Sequence, residues 1–141
     1  MTAQIPLLGL KLDAPRQYAT YCKGHPMRVR EVRDAGRDLT ILWDADIISF
    51  AQDRRLVEYD LPAVLGLIVN TREKIMGWEI CTLRIALSEP DGERGSLPII
   101  TSDLSLEAQF QQVIGAIETL HLPIPFFGSP EAFRHHMTDG S

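Results

Sequence analysis

The sequence contains few cysteines and no long apolar run. Its 141 residues include only Cys22 and Cys81, too few for the disulfide framework of a small secreted protein. There is no stretch of 18 apolar residues, and no N-terminal segment has the charged start and long apolar core of a signal peptide. We therefore expect a complete, cytoplasmic protein without membrane association, which forms a single domain over residues 1–141.

Motifs that mark common catalytic and cofactor sites are also missing. No glycine-rich phosphate motif of the GxGxxG or GxxxxGK[ST] type occurs, and neither does GxSxG or HExxH. Cys22 and His25 have the spacing of half a zinc site, but the sequence does not supply the other half. We therefore expect no cofactor and no metal. The sequence leans away from an enzyme, although an enzymatic activity stays open.

Positive charge is scarce overall and unevenly distributed. The net charge is −5 at pH 7, which argues against nonspecific nucleic-acid binding as the main role. Residues 1–40 hold seven Lys/Arg against four Asp/Glu, whereas residues 78–141 hold three against nine. This pattern fits an ordinary solvated surface, and it also fits a basic face that binds an acidic partner.

The clearest pattern that is present predicts a helix over residues 106–121. Phe110, Val113, Ile114 and Ile117 recur at helical spacing with polar residues on the opposite side. Ser105 is the predicted N-cap, and two prolines soon after residue 121 end the helix. Such an amphipathic helix must pack its apolar side against the rest of the domain.

Alternation of apolar and polar residues predicts strands. A first hairpin would pair residues 28–33 with 38–48 through the turn residues Asp34, Ala35 and Gly36. A second would pair a strand over Trp78–Ser88 with residues 97–101. We therefore expect an α+β fold, in which an antiparallel sheet built from two hairpins has helices packed on one face.

Residues 61–76 allow two interpretations. Asp60 and Pro62 resemble a helix start, which favours a helix to Gly77. The β-branched Val64, Ile68 and Val69 and the glycine among them favour a strand. We prefer the helix and leave the strand open.

The two ends of the chain are less regular. Residues 1–26 predict an irregular N-terminal arm, a short helix follows Ser129, and residues 137–141 should fray. The apolar segments 5–10 and 122–127 lie outside the predicted elements and need to be covered. Covering by a second copy or by another protein predicts a small interaction or regulatory protein that binds another macromolecule, with a homodimer as one form.

Two sets of residues are candidate sites. Arg28, Arg30, Arg33 and Arg37 cluster around the first predicted hairpin and could bind an acidic partner. Trp43, Asp44, Asp46 and Trp78 are the pocket candidates of the alternative function, a small-molecule-binding or enzymatic α+β domain. Asp44 and Asp46 would share one face of a strand, as residues i and i+2 do.

Overall fold

The computed structural model describes residues 2–6, 9–13, 27–88 and 94–139. This part of the chain is mostly antiparallel sheet with two helices, an α+β composition. It contains the strands β1 Thr2–Ile5, β2 Lys11–Leu12, β3 Met27–Glu31, β4 Leu39–Trp43, β5 Ile47–Gln52, β6 Arg55–Asp60, β7 Val64–Ile75, β8 Trp78–Ser88, β9 Arg94–Asp103 and β10 Phe126–Phe127, the helices α1 Glu107–Glu118 and α2 Pro130–Asp139, and the 3-10 turns Leu61–Ala63 and Leu104–Leu106.

The strands form two five-stranded sheets and not the single sheet that we expected. The first has the order β1-β4-β5-β6-β3, and all its strand pairs are antiparallel. The second has the order β10-β7-β8-β9-β2, in which only the β10–β7 pair is parallel.

The main core lies between the two sheets. Alternate residues of each strand face inward, so the strand register aligns apolar side chains in rows. Ile41, Phe50 and Val57 form one row of the first sheet, and Leu83 pairs with Ile100 in the second. All five side chains are 2% exposed or less and belong to one cluster. The apolar residues that alternate with period two in the sequence therefore form the core that the two sheets share.

The predicted first hairpin is wrong. The β3 strand pairs with β6, and β4 pairs with β5, so residues 28–33 and 38–48 lie in strands that are not neighbours. The turn around Gly36 instead contacts the β5–β6 turn, where the amide of Asp53 donates to the Gly36 carbonyl at 2.6 Å and the amide of Arg54 to the Ala35 carbonyl at 2.9 Å. The chain does turn in this region, but the hydrogen-bonded turn spans residues 32–35, where the Ala35 amide donates to the Val32 carbonyl at 3.2 Å, and Gly36 does not adopt positive φ.

The preferred helix over residues 61–76 is also wrong. Only Leu61–Ala63 form a short 3-10 turn, and β7 then runs for 12 residues from Val64 to Ile75. The Asp60–Pro62 start signal therefore produces one helical turn, after which the β-branched residues continue as a strand. Gly66 in this strand is required by close packing, because a Cβ there would lie 2.5 Å from the Phe127 ring.

The amphipathic helix is present as α1. Phe110, Val113, Ile114 and Ile117 are its buried residues, and all four join the main core cluster. The predicted cap is different: the side chain of Asp103 accepts a hydrogen bond from the Ser105 amide at 2.9 Å, before the 3-10 turn that precedes α1.

The two helices contact opposite sides of the second sheet. The side chains of α1 pack in the main cluster with inward residues such as Leu83, whereas Phe133 of α2 packs with Ile68 and Ala86 in a separate cluster. Ile68 and Ala86 alternate along their strands with the inward residues, so they face outward. The prediction of helices on one face is therefore not confirmed.

The apolar segments near the two ends are covered by their own chain. Ile5 and Leu10 are 3% exposed, and β1 and β2 pair with β4 and β9, so the described part of the N-terminal arm is more regular than we expected. Residues 7–8 and 14–26 lie outside the described residues. The 122–127 segment packs against the main core, and Phe127 is 9% exposed. These described residues therefore pack within their own chain, while the homodimer stays a prediction. At the other end, α2 continues through Asp139, beyond the predicted fraying point.

A buried glutamine joins the two sheets. Gln52 of β5 is 4% exposed, and its Oε1 accepts a hydrogen bond from the Leu12 amide of β2 at 2.6 Å. Its Nε2 donates to the carbonyls of Arg37 at 2.8 Å and of Leu10 at 3.4 Å. Because β5 belongs to the first sheet and β2 to the second, this one side chain fixes their relative position.

Candidate functional site

The β7–β8 hairpin ends in a two-residue turn formed by Met76 and Gly77. Ile75 and Trp78 form the last cross-strand pair, and both turn residues have positive φ, +51° at Met76 and +84° at Gly77. Positive φ at both central residues defines the type I′ turn, whose twist matches that of the flanking strands. The tip is therefore a tight turn of regular geometry.

The side chains at this tip are apolar and exposed. Met76 is 93% exposed, Trp78 76% and Ile75 44%, and no other large apolar side chain of the described residues is exposed to this degree. Single exposed apolar residues are ordinary on protein surfaces, but a contiguous group marks an interaction surface. These three residues, called the tip from here on, are the candidate functional site.

The hairpin carries the tip beyond the rest of the sheet. β9 pairs with β8 as far as Asp103 opposite Ile80, and β10 pairs with β7 only at Leu67 and Ile68. Within the described residues, the pairs beyond Ile80 therefore have no neighbouring strand, and the apolar side chains of the tip have little to pack against.

A bulge in β7 sets the face of the sheet on which Ile75 lies. The register shifts between Asn70 and Glu73, so the two residues between them oppose Cys81 alone. The Asn70 Oδ1 accepts a hydrogen bond from the Arg72 amide at 3.1 Å, and Arg72 pairs with Glu79 across the hairpin at 3.3 Å. A bulge reverses which face each later residue presents. It therefore turns Ile75 to the outward face of the second sheet, the face that Trp78 presents through the regular alternation of β8.

The four predicted arginines do not act as one group in the structure. Arg28 donates to Glu58 at 3.0 Å and to Asp60 at 2.7 Å, and Arg30 lies 3.7 Å from Glu58. These two carboxylates raise the pKa of Arg28 above its ordinary value. Arg28 and Arg30 therefore bind acids of the adjacent strand β6, whereas Arg33 and Arg37 lie exposed in the β3–β4 connection.

Asp44 and Asp46 lie in the β4–β5 turn and not on a strand face. The Asp44 Oδ1 accepts hydrogen bonds from the amides of Asp46 at 2.7 Å and Ile47 at 2.9 Å. These two bonds hold the pKa of Asp44 below its ordinary value, because they favour the ionised carboxylate. The role that this geometry gives Asp44 is to form the turn.

The pocket predicted from Trp43, Asp44, Asp46 and Trp78 does not gather in one place. Trp43 is half-buried against the main core at the end of β4. The Leu61 amide donates to the Asp46 carbonyl at 2.8 Å, so this turn lies near the start of β7. Trp78 follows the far end of that strand, roughly 30 Å away at about 3.3 Å per residue. None of the three grooves that the structure describes is lined by any of the four residues.

The described residues also show no metal site and no exposed cysteine. No three His, Cys, Asp or Glu side chains of the described residues are placed to hold a metal ion. The Cys81 thiol is fully buried, and burial raises its pKa. Within the same part of the chain, neither helix has the length and apolarity needed to cross a membrane.

The sequence singled out Trp78 as a candidate residue, but it did not lead us to predict the exposed hairpin turn. It assigned Trp78 to a strand and Gly77 to the end of a helix, and so it overlooked Met76. A signal was present, since a residue pair ending in glycine between two strand-forming runs predicts a hairpin turn. Comparisons with protein-family models, with curated proteins and with solved structures returned no match.

Proposed function

We propose that this protein is an interaction protein that binds another protein through the tip of its β7–β8 hairpin. The observation that carries the proposal is the exposure of Met76 and Trp78 on a projecting turn. Tryptophan is among the residues that most often dominate binding energy, and methionine is enriched in the cores of interfaces. A regulatory role fits such a protein, since it would act by occupying a surface of its partner.

The backbone at Met76 supports this role. A left-handed conformation costs a residue with a side chain about 1–2 kcal/mol, and asparagine or glycine is usual at this turn position. The Met76 side chain returns almost none of that energy, because it makes little contact with the protein. Asp53, Arg54 and His121 also have positive φ, so this conformation supports a role outside the fold only together with the exposure of Met76.

The hairpin is also prepared for binding. The bulge, the Arg72–Glu79 ion pair and the tight turn restrict the conformations of the hairpin end. A rigid apolar anchor loses little conformational entropy when it enters a pocket. The charges beside the tip have both signs, with Arg72 and Lys74 against Glu73 and Glu79. These mixed charges fit a protein surface better than an anionic lipid surface, which attracts basic segments.

The size of the tip favours a concave partner over a second copy of the chain. A stable symmetric dimer buries about 800 Å² on each partner, and one aromatic side chain supplies only about 150–250 Å². Three side chains therefore fall short of a flat dimer interface. They suit insertion of Trp78 and Met76 into a pocket with a polar rim. The paired arginines Arg28 and Arg30 are a secondary surface, since β6 already neutralises much of their charge.

Photo-cross-linking tests the proposal. A photoreactive amino acid at position 76 should give one predominant adduct with a partner protein in a native extract. The Trp78→Ala change in the same chain should reduce the adduct at least tenfold, because it removes the main anchor. The Lys74→Ala change is the matched control, and it should leave the yield unchanged, since it alters the same hairpin but keeps the tip.

Two results would count against the proposal. One is an adduct whose yield is the same with and without Trp78. The other is a set of adducts no different from those of a photoreactive residue at Gln111, which is exposed on the polar side of α1. An adduct of twice the chain mass would identify a second copy as the occupant and contradict the heterologous partner.

A further inference from the structure

A groove lies on the outward face of the second sheet, between that sheet and the first turns of α2. It encloses about 300 Å³ and is lined by Ile68, Glu73 and Arg84 from the sheet and by Pro130, Phe133 and Arg134 from the helix. This volume is at the lower end for small-molecule sites. A single amino acid fits this volume.

The carboxylate of Glu73, on the negative side of the groove, has fewer hydrogen-bond donors from the protein than it can accept. Glu73 Oε1 lies 3.4 Å from Arg84 Nε, which is long for a charge-assisted hydrogen bond. The other oxygen, Oε2, is buried and has no hydrogen-bond partner. An acceptor buried without a donor is costly. A positively charged donor in the groove, such as an ammonium group, would stabilise it after a small movement of the side chain.

Two arginines form the positive side of the groove, and besides Glu73 they interact with Glu131, which pairs with Arg134, and with Asp13, whose carboxylate attracts Arg84. The guanidinium groups of Arg84 and Arg134 both line the groove, and Arg84 is only 23% exposed. Pro130 places the first turn of α2 against the same space, where the helix dipole is positive. Arg134 also pairs with Glu131 at 3.2 Å, but both side chains are well exposed and the pair is weak. A carboxylate fits this side.

The walls between the charged groups are apolar. Ile68 and Phe133 belong to the small outer cluster, and Phe133 lies against Phe127 with ring centroids 5.3 Å apart. An aliphatic or aromatic group of a ligand would contact these side chains. The groove thus offers an acceptor, guanidinium donors and an apolar wall within one amino-acid-sized space.

We propose that this groove binds a free α-amino acid with an apolar side chain. The ammonium group binds Glu73, the carboxylate binds Arg84 and Arg134, and the side chain packs on Ile68 and Phe133. None of the three tip residues lines the groove, so binding of the amino acid can be tested independently of the partner-binding function.

Titration of the ¹⁵N-labelled protein with L-leucine and with L-phenylalanine, followed by NMR, tests this proposal. Amide signals of residues 68–73, 84 and 131–134 should shift on titration into the millimolar range. L-Leucinamide lacks the carboxylate and N-acetyl-L-leucine lacks the ammonium, so each should bind at least tenfold more weakly. Glycine, which lacks the side chain, should be similarly weak.

Two conservative variants locate the site. Glu73→Gln and Arg134→Gln should each weaken L-leucine binding about tenfold or more. Arg72→Gln removes a charge from the same hairpin outside the groove, and it should leave binding unchanged. The proposal is overturned if neither amino acid shifts the groove signals, if leucinamide or N-acetyl-leucine binds as tightly as leucine, or if both groove variants bind like the wild type.

Discussion

Replacing Met76 by asparagine should stabilise the fold and at the same time remove partner binding. Asparagine tolerates the left-handed conformation that Met76 adopts at φ +51°. Because Met76 is 93% exposed, its loss forfeits at most a few tenths of a kcal/mol of buried apolar surface. We therefore expect the free energy of unfolding to rise by about 0.5–1 kcal/mol.

Urea and thermal denaturation measure this change. For a domain of this size, the expected gain corresponds to an increase in Tm of about 1–4 °C. Gly77→Ala is the matched control at the neighbouring position, where φ is +84° and no atom lies within 4 Å of an added Cβ. It should lower stability by about 1–2 kcal/mol through the backbone alone. A Met76→Asn protein that is less stable than the wild type by more than about 0.5 kcal/mol would refute the reasoning, because Met76 would then contribute to folding.

Three further predictions concern the fold. Gly66→Ala should lower the free energy of unfolding by at least about 2 kcal/mol, because the new Cβ would lie 2.5 Å from the Phe127 ring, whereas Gly115→Ala on the exposed side of α1 should stabilise by about 0.5–1 kcal/mol. Gln52→Leu should cost about 2–4 kcal/mol in urea denaturation, since it removes the buried bond to the Leu12 amide of the second sheet and the bonds to the Leu10 and Arg37 carbonyls. The turn bonds that lower the pKa of Asp44 from its ordinary 3.8 should stabilise the protein above that pH, and this contribution should vanish as the pH falls through the folded-state pKa.

A specific result would contradict each of these three predictions. Equal stabilities of the two glycine variants would show that Gly66 does not need the space beside Phe127. A Gln52→Leu protein as stable as the wild type would remove the link between the sheets. A carboxyl signal of Asp44 that titrates at or above 3.8 in an NMR pH series would contradict the hydrogen bonds from Asp46 and Ile47.

Regular amphipathic patterns were the part of the fold that the sequence could predict. The apolar spacing from Phe110 to Ile117 predicts α1, and the alternation along Trp78–Ser88 predicts β8 with the bounds that the structure has. Both patterns are local, since each depends on the period of one element and on a buried side. The order of the strands is not local. β3 pairs with β6 because the chain crosses the sheet after Glu31, and no residue in the turn specifies that crossing.

The tip could not be predicted as exposed for the same reason. Trp78 lies in a run of strand residues whose later members are buried, so the pattern placed it in the core. Its exposure depends on where β9 and β10 end relative to the hairpin. Asp60 and Pro62 also led us to predict a helix where β7 leads to the turn at Met76. Their pattern is the same in sequence whether one helical turn or a long helix follows.

The most direct test of the central claim is a quantitative comparison of partner recovery by the wild type and by a Met76→Asn, Trp78→Ala double variant. Both proteins are purified, shown by denaturation to be folded, and used as bait in the same native extract, with recovery measured by mass spectrometry. If the tip is the binding site, a partner recovered by the wild type should be reduced at least tenfold with the folded variant and retained with Lys74→Ala. Equal recovery by the folded double variant would show that the tip is not the binding site.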